Sequence, residues 1–300
     1  MQKRSVLSGA LLALAAAFAA PLTAQEPNFG RSVSMTGAEL VVGQPVNWYG
    51  PGAVYTYRLD AGAWQQESML TASDSSRMDD FGRAVSLNGN TLVVGAPRKR
   101  DGSGVAYIFE RSGATAPWTE SSVLEPPRDG DHRDYAASLA VSGDDLLVGS
   151  PAVDGTGVVY HFRRSAGAWS LQDVLRPEGG AGVAGFGVAL AWSGDDLLIG
   201  APAADSARGR VFAARRGSDG AWAQPRPVQL PAEALQPDGR AGWALALDGD
   251  RAYVGAPGAS AAFALERNDA GDWALSSVLQ PYHRPRGAQF GFSLTVVEDE

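Results

Sequence analysis

Acidic side chains are the residues whose type and spacing best suit chemistry in this chain. Asp74, Asp79 and Asp80 gather just ahead of a Phe-Gly pair, and Asp129, Asp131 and Asp134 surround His132. The Asp-x-Asp-His run has the ligand types of a divalent-metal site, but no later segment repeats its spacing. More acids sit in short glycine turns, as in Ser142-Gly143-Asp144-Asp145, Ser193-Gly194-Asp195-Asp196 and Asp248-Gly249-Asp250. Calcium needs about six to eight oxygens, normally from alternate positions of a long loop, and a two-residue turn cannot wrap an ion. These acids read as turn residues that hydrogen-bond their own backbone. No metal or cofactor is expected.

Other catalytic chemistries have little to work with. The histidines are His132, His161 and His283, and His161 lies between Tyr160 and Phe162 in an apolar run, as a packed residue would. The absence of cysteine excludes disulfides, thiol catalysis and thiolate metal sites. There is no serine-nucleophile motif, no HExxH helix and no glycine-rich phosphate loop. Carboxylates from separate units converging on one channel would suit glycosidic-bond cleavage. A polysaccharide-acting hydrolase or lyase working at a channel mouth is therefore the alternative to a binding role, and a structural spacer of a larger secreted protein is a third.

Binding candidates come from the stretches that break the repeat described next. Trp48 and Tyr49 stand in a Gly/Pro-rich loop, and Arg98, Lys99 and Arg100 make a basic spot in the corresponding loop of the following unit. His132, Arg133, Arg208, Tyr282, His283 and Arg284 occupy comparable non-repeating positions. Variable loops on a rigid scaffold are where specificity usually resides, and aromatic and arginine side chains dominate binding energy. These residues are the expected ligand-binding set, with Trp48 and Tyr49 as leading anchors.

The scaffold that positions them is a repeat. Phe-Gly pairs occur at Phe29, Phe81, Phe186 and Phe290, with degenerate copies at Tyr135-Ala136 and Ala241-Gly242. A V-G-x-P signature, I-G-x-P in the fourth unit, follows all but the last, with glycines at Gly43, Gly95, Gly149, Gly200 and Gly255. Tryptophans close the units at Trp64, Trp118, Trp169, Trp222 and Trp273, and are expected to wedge between them. Each unit reads as four short strands. A glycine turn makes the first hairpin, and an apolar run such as Leu92-Val93-Val94 demands cover on both faces. Units of about 50 residues with this pattern bury themselves by radial stacking. The fold class is all-β: a β-propeller of four-stranded antiparallel blades, five complete repeats plus the first strand of a sixth.

The F-G and V-G-A-P landmarks, in this order and phase, resemble FG-GAP repeats, the blades of integrin α-subunit propellers and of many secreted bacterial proteins. The resemblance spans roughly residues 29 to 300. It implies a propeller used in adhesion or recognition. It also brings a D-x-D-x-D-G calcium loop between first and second strands, which every unit here lacks, so the calcium site is not carried over.

The N-terminus reads as a signal peptide over 1–24, with Lys3 and Arg4 before an Ala/Leu-rich run and Leu22-Thr23-Ala24 at the cleavage point. Residues 25–300 are read as the propeller, with blades at about 29–80, 81–134, 135–185, 186–240 and 241–289 and a partial unit at 290–300. The formal charge of −8 becomes more negative when Lys3 and Arg4 are removed, which argues against nucleic acid and anionic lipid. Nothing after the leader is long and apolar enough to span a bilayer. The chain is expected to be secreted, periplasmic or displayed at the surface, with an extracellular protein or glycan as partner. The sixth unit breaks off at its first hairpin turn, and the polypeptide is read as a fragment of a longer chain.

Overall fold

The computed structural model describes residues 28–46, 51–128, 132–180, 183–231, 235–268, 271–283 and 287–296. Trp48, Tyr49, Asp129, Asp131, Arg284 and the expected signal peptide lie outside them. Among the described residues twenty strands form five four-stranded antiparallel sheets, each a simple meander. The first blade holds β1 (Ser32–Thr36), β2 (Glu39–Gln44), β3 (Ala53–Asp60) and β4 (Ala63–Leu70). The second holds β5 (Ala84–Asn88), β6 (Thr91–Ala96), β7 (Val105–Glu110) and β8 (Thr119–Leu124), and the third β9 (Ser138–Ser142), β10 (Asp145–Ser150), β11 (Val158–Ser165) and β12 (Ala168–Leu175). The fourth holds β13 (Ala189–Ser193), β14 (Asp196–Ala201), β15 (Arg210–Arg215) and the short β16 (Arg226–Pro227). The fifth holds β17 (Ala244–Asp248), β18 (Arg251–Ala256), β19 (Ala261–Arg267) and β20 (Trp273–Leu279). Residues 287–296 are not paired into a strand.

Blades meet through their first strands, β1 on β5, β5 on β9, β9 on β13 and β13 on β17. The glycine landmarks are explained at these junctions. A Cβ built on Gly43 would stand 2.2 Å from the carbonyl oxygen of Gly82, and one on Gly200 would stand 2.0 Å from that of Gly242. The V-G-x-P glycine of one blade is thus pressed against the Phe-Gly turn of the next, and any side chain would part the sheets. Gly255 meets the Gly291 carbonyl in the same way, so residues 290–291 dock on the fifth blade as a further unit would. The second strands are the buried heart of each sheet: β6 and β10 are buried throughout.

Among the described residues nothing covers the β1 face of the first blade. Val85 and Leu87 of β5 are 9% and 6% exposed, packed against the first blade, whereas their β1 counterparts Val33 and Met35 are 57% and 62% exposed.

The repeated tryptophans are not simple apolar wedges. Each of four lies under an arginine, with Arg111, Arg164, Arg216 and Arg267 at 4.3, 5.4, 5.9 and 4.9 Å from the rings of Trp118, Trp169, Trp222 and Trp273. These arginines recur one residue beyond the strand partner of the second strand's first residue, and they reach back to the preceding blade. Arg111 binds Glu39 at 2.5 Å, Arg164 binds the Thr91 hydroxyl at 3.2 Å, Arg216 binds Asp145 at 2.6 Å, and Arg267 binds Asp196. The first blade has Leu59 at the clasp position, and its Trp64 is 41% exposed.

Candidate ligand-binding face

In this meander, the second-to-third-strand loops and the connections between blades emerge at one end of the sheets, and the glycine hairpins at the other. The loop end is built on a repeated turn placed just before each first strand. Asn28, Asp80, Asp134 and Arg240 all take left-handed φ values, between 55° and 66°, and Gly185 occupies the same position at 80°. Their carbonyls accept the amide three residues on, as in Arg83 N–H to Asp80 O at 2.9 Å and Trp243 N–H to Arg240 O at 3.2 Å. A non-glycine residue held in this region costs about 1–3 kcal/mol, a cost that persists where surrounding structure over-determines it.

The residue that closes this turn stands just before the innermost strand of each blade, Phe292 holding the equivalent position after the fifth, and it is where the units differ most in chemistry. Going along the chain it is Arg31, Arg83, Ala137, Val188, Trp243 and Phe292. The rim is therefore charged over the first two blades and aromatic at the fifth. Trp243 packs on Phe292 with centroids 5.6 Å apart, Arg240 stands 5.8 Å over the Trp243 ring, and a cavity of ≈ 360 Å³ opens beside them, with Asp238 and Gln289 in its wall.

The charged sector contains several of the expected binding residues. Arg98 is exposed and pairs with Asp80 at 3.2 Å, and Arg100 pairs with Glu125 at 2.6 Å. Lys99 is spent on the fold: only 10% of its side chain is exposed, and its ammonium binds Asp79 at 2.9 Å and the Asp74 carbonyl. Tyr107 donates to Asp74 at 2.5 Å, which holds that carboxyl below its ordinary pKa, while burial first and this bond second push the phenol far up. Burial raises the Asp80 pKa despite Arg98 and Arg83 nearby. Arg83 is half-buried, and burial and then the like charge of Arg31 lower its pKa.

His132 and Arg133 lie on the connection into the third blade, where the His132 ring nitrogen sits 3.0 Å from the Tyr160 hydroxyl and the Arg133 carbonyl accepts from Ser150. Arg208 is exposed on the loop of the fourth blade and donates to the Leu235 carbonyl at 2.9 Å. Tyr282 is 96% exposed and stacks edge-on with His283. Those of the expected residues that the structure describes thus share an end of the molecule but occupy separate sectors. Sequence reasoning missed Arg31, Arg83, Arg240, Trp243 and Phe292. Aligning the units on Phe-Gly and reading the next residue would have found most of them.

The hairpin end holds a cavity of ≈ 860 Å³ between the second and third blades. Its charged walls are already paired, Arg164 to Glu110 at 2.5 Å and Arg111 to Glu39. Deeper between the third and fourth blades, His161 is buried with Nε2 2.8 Å from Asp145, whose oxygens also accept from Arg163 and Arg216. Burial lowers the His161 pKa in spite of this carboxylate. Among the described residues no three His, Asp or Glu side chains gather as a metal-ligand group, and no helix is long and apolar enough to cross a membrane.

The FG-GAP repeat family model matches residues 64–109, from the end of the first blade through most of the second. No curated protein matches the chain in sequence. Among solved structures, a Lactobacillus plantarum protein is similar over 86% of this chain and 73% of its own, with a TM-score of 0.58 at 17% identity. A chain of the mitotic checkpoint complex is similar over 88% of this chain and 69% of its own, with a TM-score of 0.56 at 13% identity. Aleuria aurantia lectin in complex with Fucα1-6GlcNAc is similar over 85% and 78%, with a TM-score of 0.50 at 13% identity. At such identities the likeness concerns the fold. The chain is a β-propeller-type array of five blades that carries an FG-GAP repeat at residues 64–109.

Proposed function

We propose that this chain is a non-catalytic binding scaffold, exported from the cell, which recognises a protein or glycan with the loop end of its blades. The observation that carries this reading is the turn before each first strand. Its backbone is repeated from blade to blade, yet its closing residue changes from Arg31 and Arg83 to Ala137, Val188 and Trp243. A rigid frame with interchangeable side chains at one end is the arrangement of a recognition surface. The match to an FG-GAP repeat supports export and a recognition role. A non-catalytic role is supported by the buried His161–Asp145 pair, whose carboxylate is already held by two arginines.

The test is a glycan and peptide array probed with the whole chain, followed by variants against each hit. Arg98→Ala and Trp243→Ala should weaken binding by about tenfold or more, as truncated aromatic and arginine anchors do. Asn90→Ala and Asp195→Ala at the hairpin end should leave it unchanged. Loss from the hairpin-end variants alone would place recognition at the other end and overturn the proposal.

A further inference from the structure

The charged sector of the rim has an imbalance that the fold does not use. Arg31 and Arg83 hold the same repeat position just before adjacent innermost strands, and β1 packs on β5. Arg98 approaches from the 97–104 loop, so three guanidiniums act on one another here together with two carboxylates, Asp80 and Asp134. Asp80 is engaged by Arg98, and the nearby Asp79 by Lys99. The Arg83 side chain, half-buried, has no hydrogen-bond or ion-pair partner among the described residues. Buried charges are normally paired, and an unpaired one in a native structure calls for an explanation.

We propose that Arg83, with Arg31 beside it, binds a carboxylate: the acid group of a single sugar acid on a glycan docked at the loop end. The inference rests on the reading of that end as the recognition surface. A guanidinium presents a planar fork of N–H donors that matches a carboxylate bidentately. One positive charge remains after Asp80 and Asp134 are counted, which suits a monoanion. A phosphate dianion would bring a second negative charge towards both aspartates. Trp243 and Phe292, with their cavity of ≈ 360 Å³, belong to a separate sector of the rim and form no part of the Arg83 site. The chain's net charge of −8 repels a long polyanion, so an isolated acid sugar fits better than a polyuronate.

The experiment titrates the whole chain with D-glucuronate and, as its neutral twin, D-glucose, using isothermal calorimetry. Glucuronate should bind, and more weakly as salt rises; glucose should bind about tenfold more weakly or worse. Arg83→Gln should cost about tenfold or more in glucuronate affinity and Arg31→Gln several-fold, as expected when a bidentate charged contact is lost. A ligand-free arm asks whether Arg83 serves the fold. The melting temperature of Arg83→Gln and Arg83→Met should stay level or rise, because an unpartnered half-buried charge has been removed.

Equal affinity for both sugars, no glucuronate binding at 50 mM or so, or unchanged binding by Arg83→Gln would overturn the carboxylate site. So would a glutamyl peptide that binds through Arg83 where glucuronate does not. A fall of more than about 5 °C in Arg83→Gln would make the residue structural and have the same effect. Array hits that depend on Trp243 but not on Arg83 would sink this inference and leave the loop-end reading standing.

Discussion

Replacing Asp145 by asparagine tests whether ionic clasps hold neighbouring blades together. Asp145 opens β10, its side chain is 12% exposed, and it accepts from His161 at 2.8 Å, from Arg163 at 2.8 Å and from Arg216 of the next blade at 2.6 Å. Asparagine keeps the shape but removes the charge, and its amide turns a donor towards at least one of these donors. Removing one partner of a buried pair costs about 3–5 kcal/mol, because the other charge is left uncompensated. The Arg163 side chain is 35% exposed and solvent softens its share, which favours the lower end, about 3 kcal/mol. For a domain of this size each kcal/mol moves the midpoint by about 2–4 °C, so Asp145→Asn should melt about 6–12 °C below the wild type at neutral pH.

The pH dependence gives a second reading of the same variant. Burial works to raise the Asp145 pKa, but the hydrogen bonds from Arg163, Arg216 and His161 outweigh it, and the folded value lies below the ordinary carboxylate value. The unfolded state therefore binds the proton first, and the stabilisation is complete above about pH 5 and lost as pH falls through the folded value. The gap between wild type and Asp145→Asn should narrow below about pH 4. His161 is also depressed, by burial, so both proteins should weaken as pH drops below about 6.5, where the unfolded histidine takes up its proton. Differential scanning calorimetry from pH 3 to 8 measures both effects, with the exposed Asp250→Asn as a control expected to stay within about 0.5 kcal/mol. A loss of under about 2 °C at pH 7, or a gap undiminished at pH 3, would refute the clasp.

Three further outcomes follow from the same geometry. Gly200→Ala forces a Cβ to within 2.0 Å of the Gly242 carbonyl and should lower the urea midpoint by at least the equivalent of about 1–3 kcal/mol, whereas alanine at an open turn glycine such as Gly113 should cost far less. The bare β1 face should drive association that grows with concentration in light scattering, and a Val33→Lys, Met35→Glu double variant should suppress it. Thermal melts in excess calcium and in chelator should coincide, since a ligand that prefers the folded state would raise the midpoint.

The fold was legible because its landmarks are steric necessities. A glycine on which a Cβ would stand about 2 Å from a carbonyl oxygen tolerates no other residue, so Gly43, Gly95, Gly149, Gly200 and Gly255 recur in the five blades and keep the phase visible. The two-residue hairpins were equally plain, since Gly37, Gly89, Gly143, Gly194 and Gly249 all take φ near +55°. The clasp was harder to see. Arg111, Arg164, Arg216 and Arg267 keep the period too, but an arginine at the end of a strand resembles ordinary surface charge until its acid is found a blade away. Its receptor also varies, as Glu39, Thr91, Asp145 and Asp196, which blurs the pattern. Lys99 misled for the opposite reason: in sequence it belongs to a basic run, and only tertiary structure shows its ammonium turned inward to Asp79.

Repeated and non-repeated residues in this chain answer to different demands, and the turn before each first strand is where the two meet. Its left-handed residue is Asn28, Asp80, Asp134 or Arg240, although glycine, present at Gly185, would be at ease there. Asn and Asp tolerate that region better than most side chains, but arginine gains nothing from it locally. Arg240 nevertheless holds it, with its guanidinium over Trp243 at the wall of the ≈ 360 Å³ cavity. If blade stacking alone governed this position, glycine would serve in all units at lower conformational cost. Retaining charged and amide side chains at strained φ is intelligible if those side chains act outward, on something that approaches the loop end. Arg240→Gly should then leave the melting temperature level or slightly raised, while weakening any ligand that seats against Trp243; a marked loss of stability would return the residue to the fold and remove this support for the recognition surface.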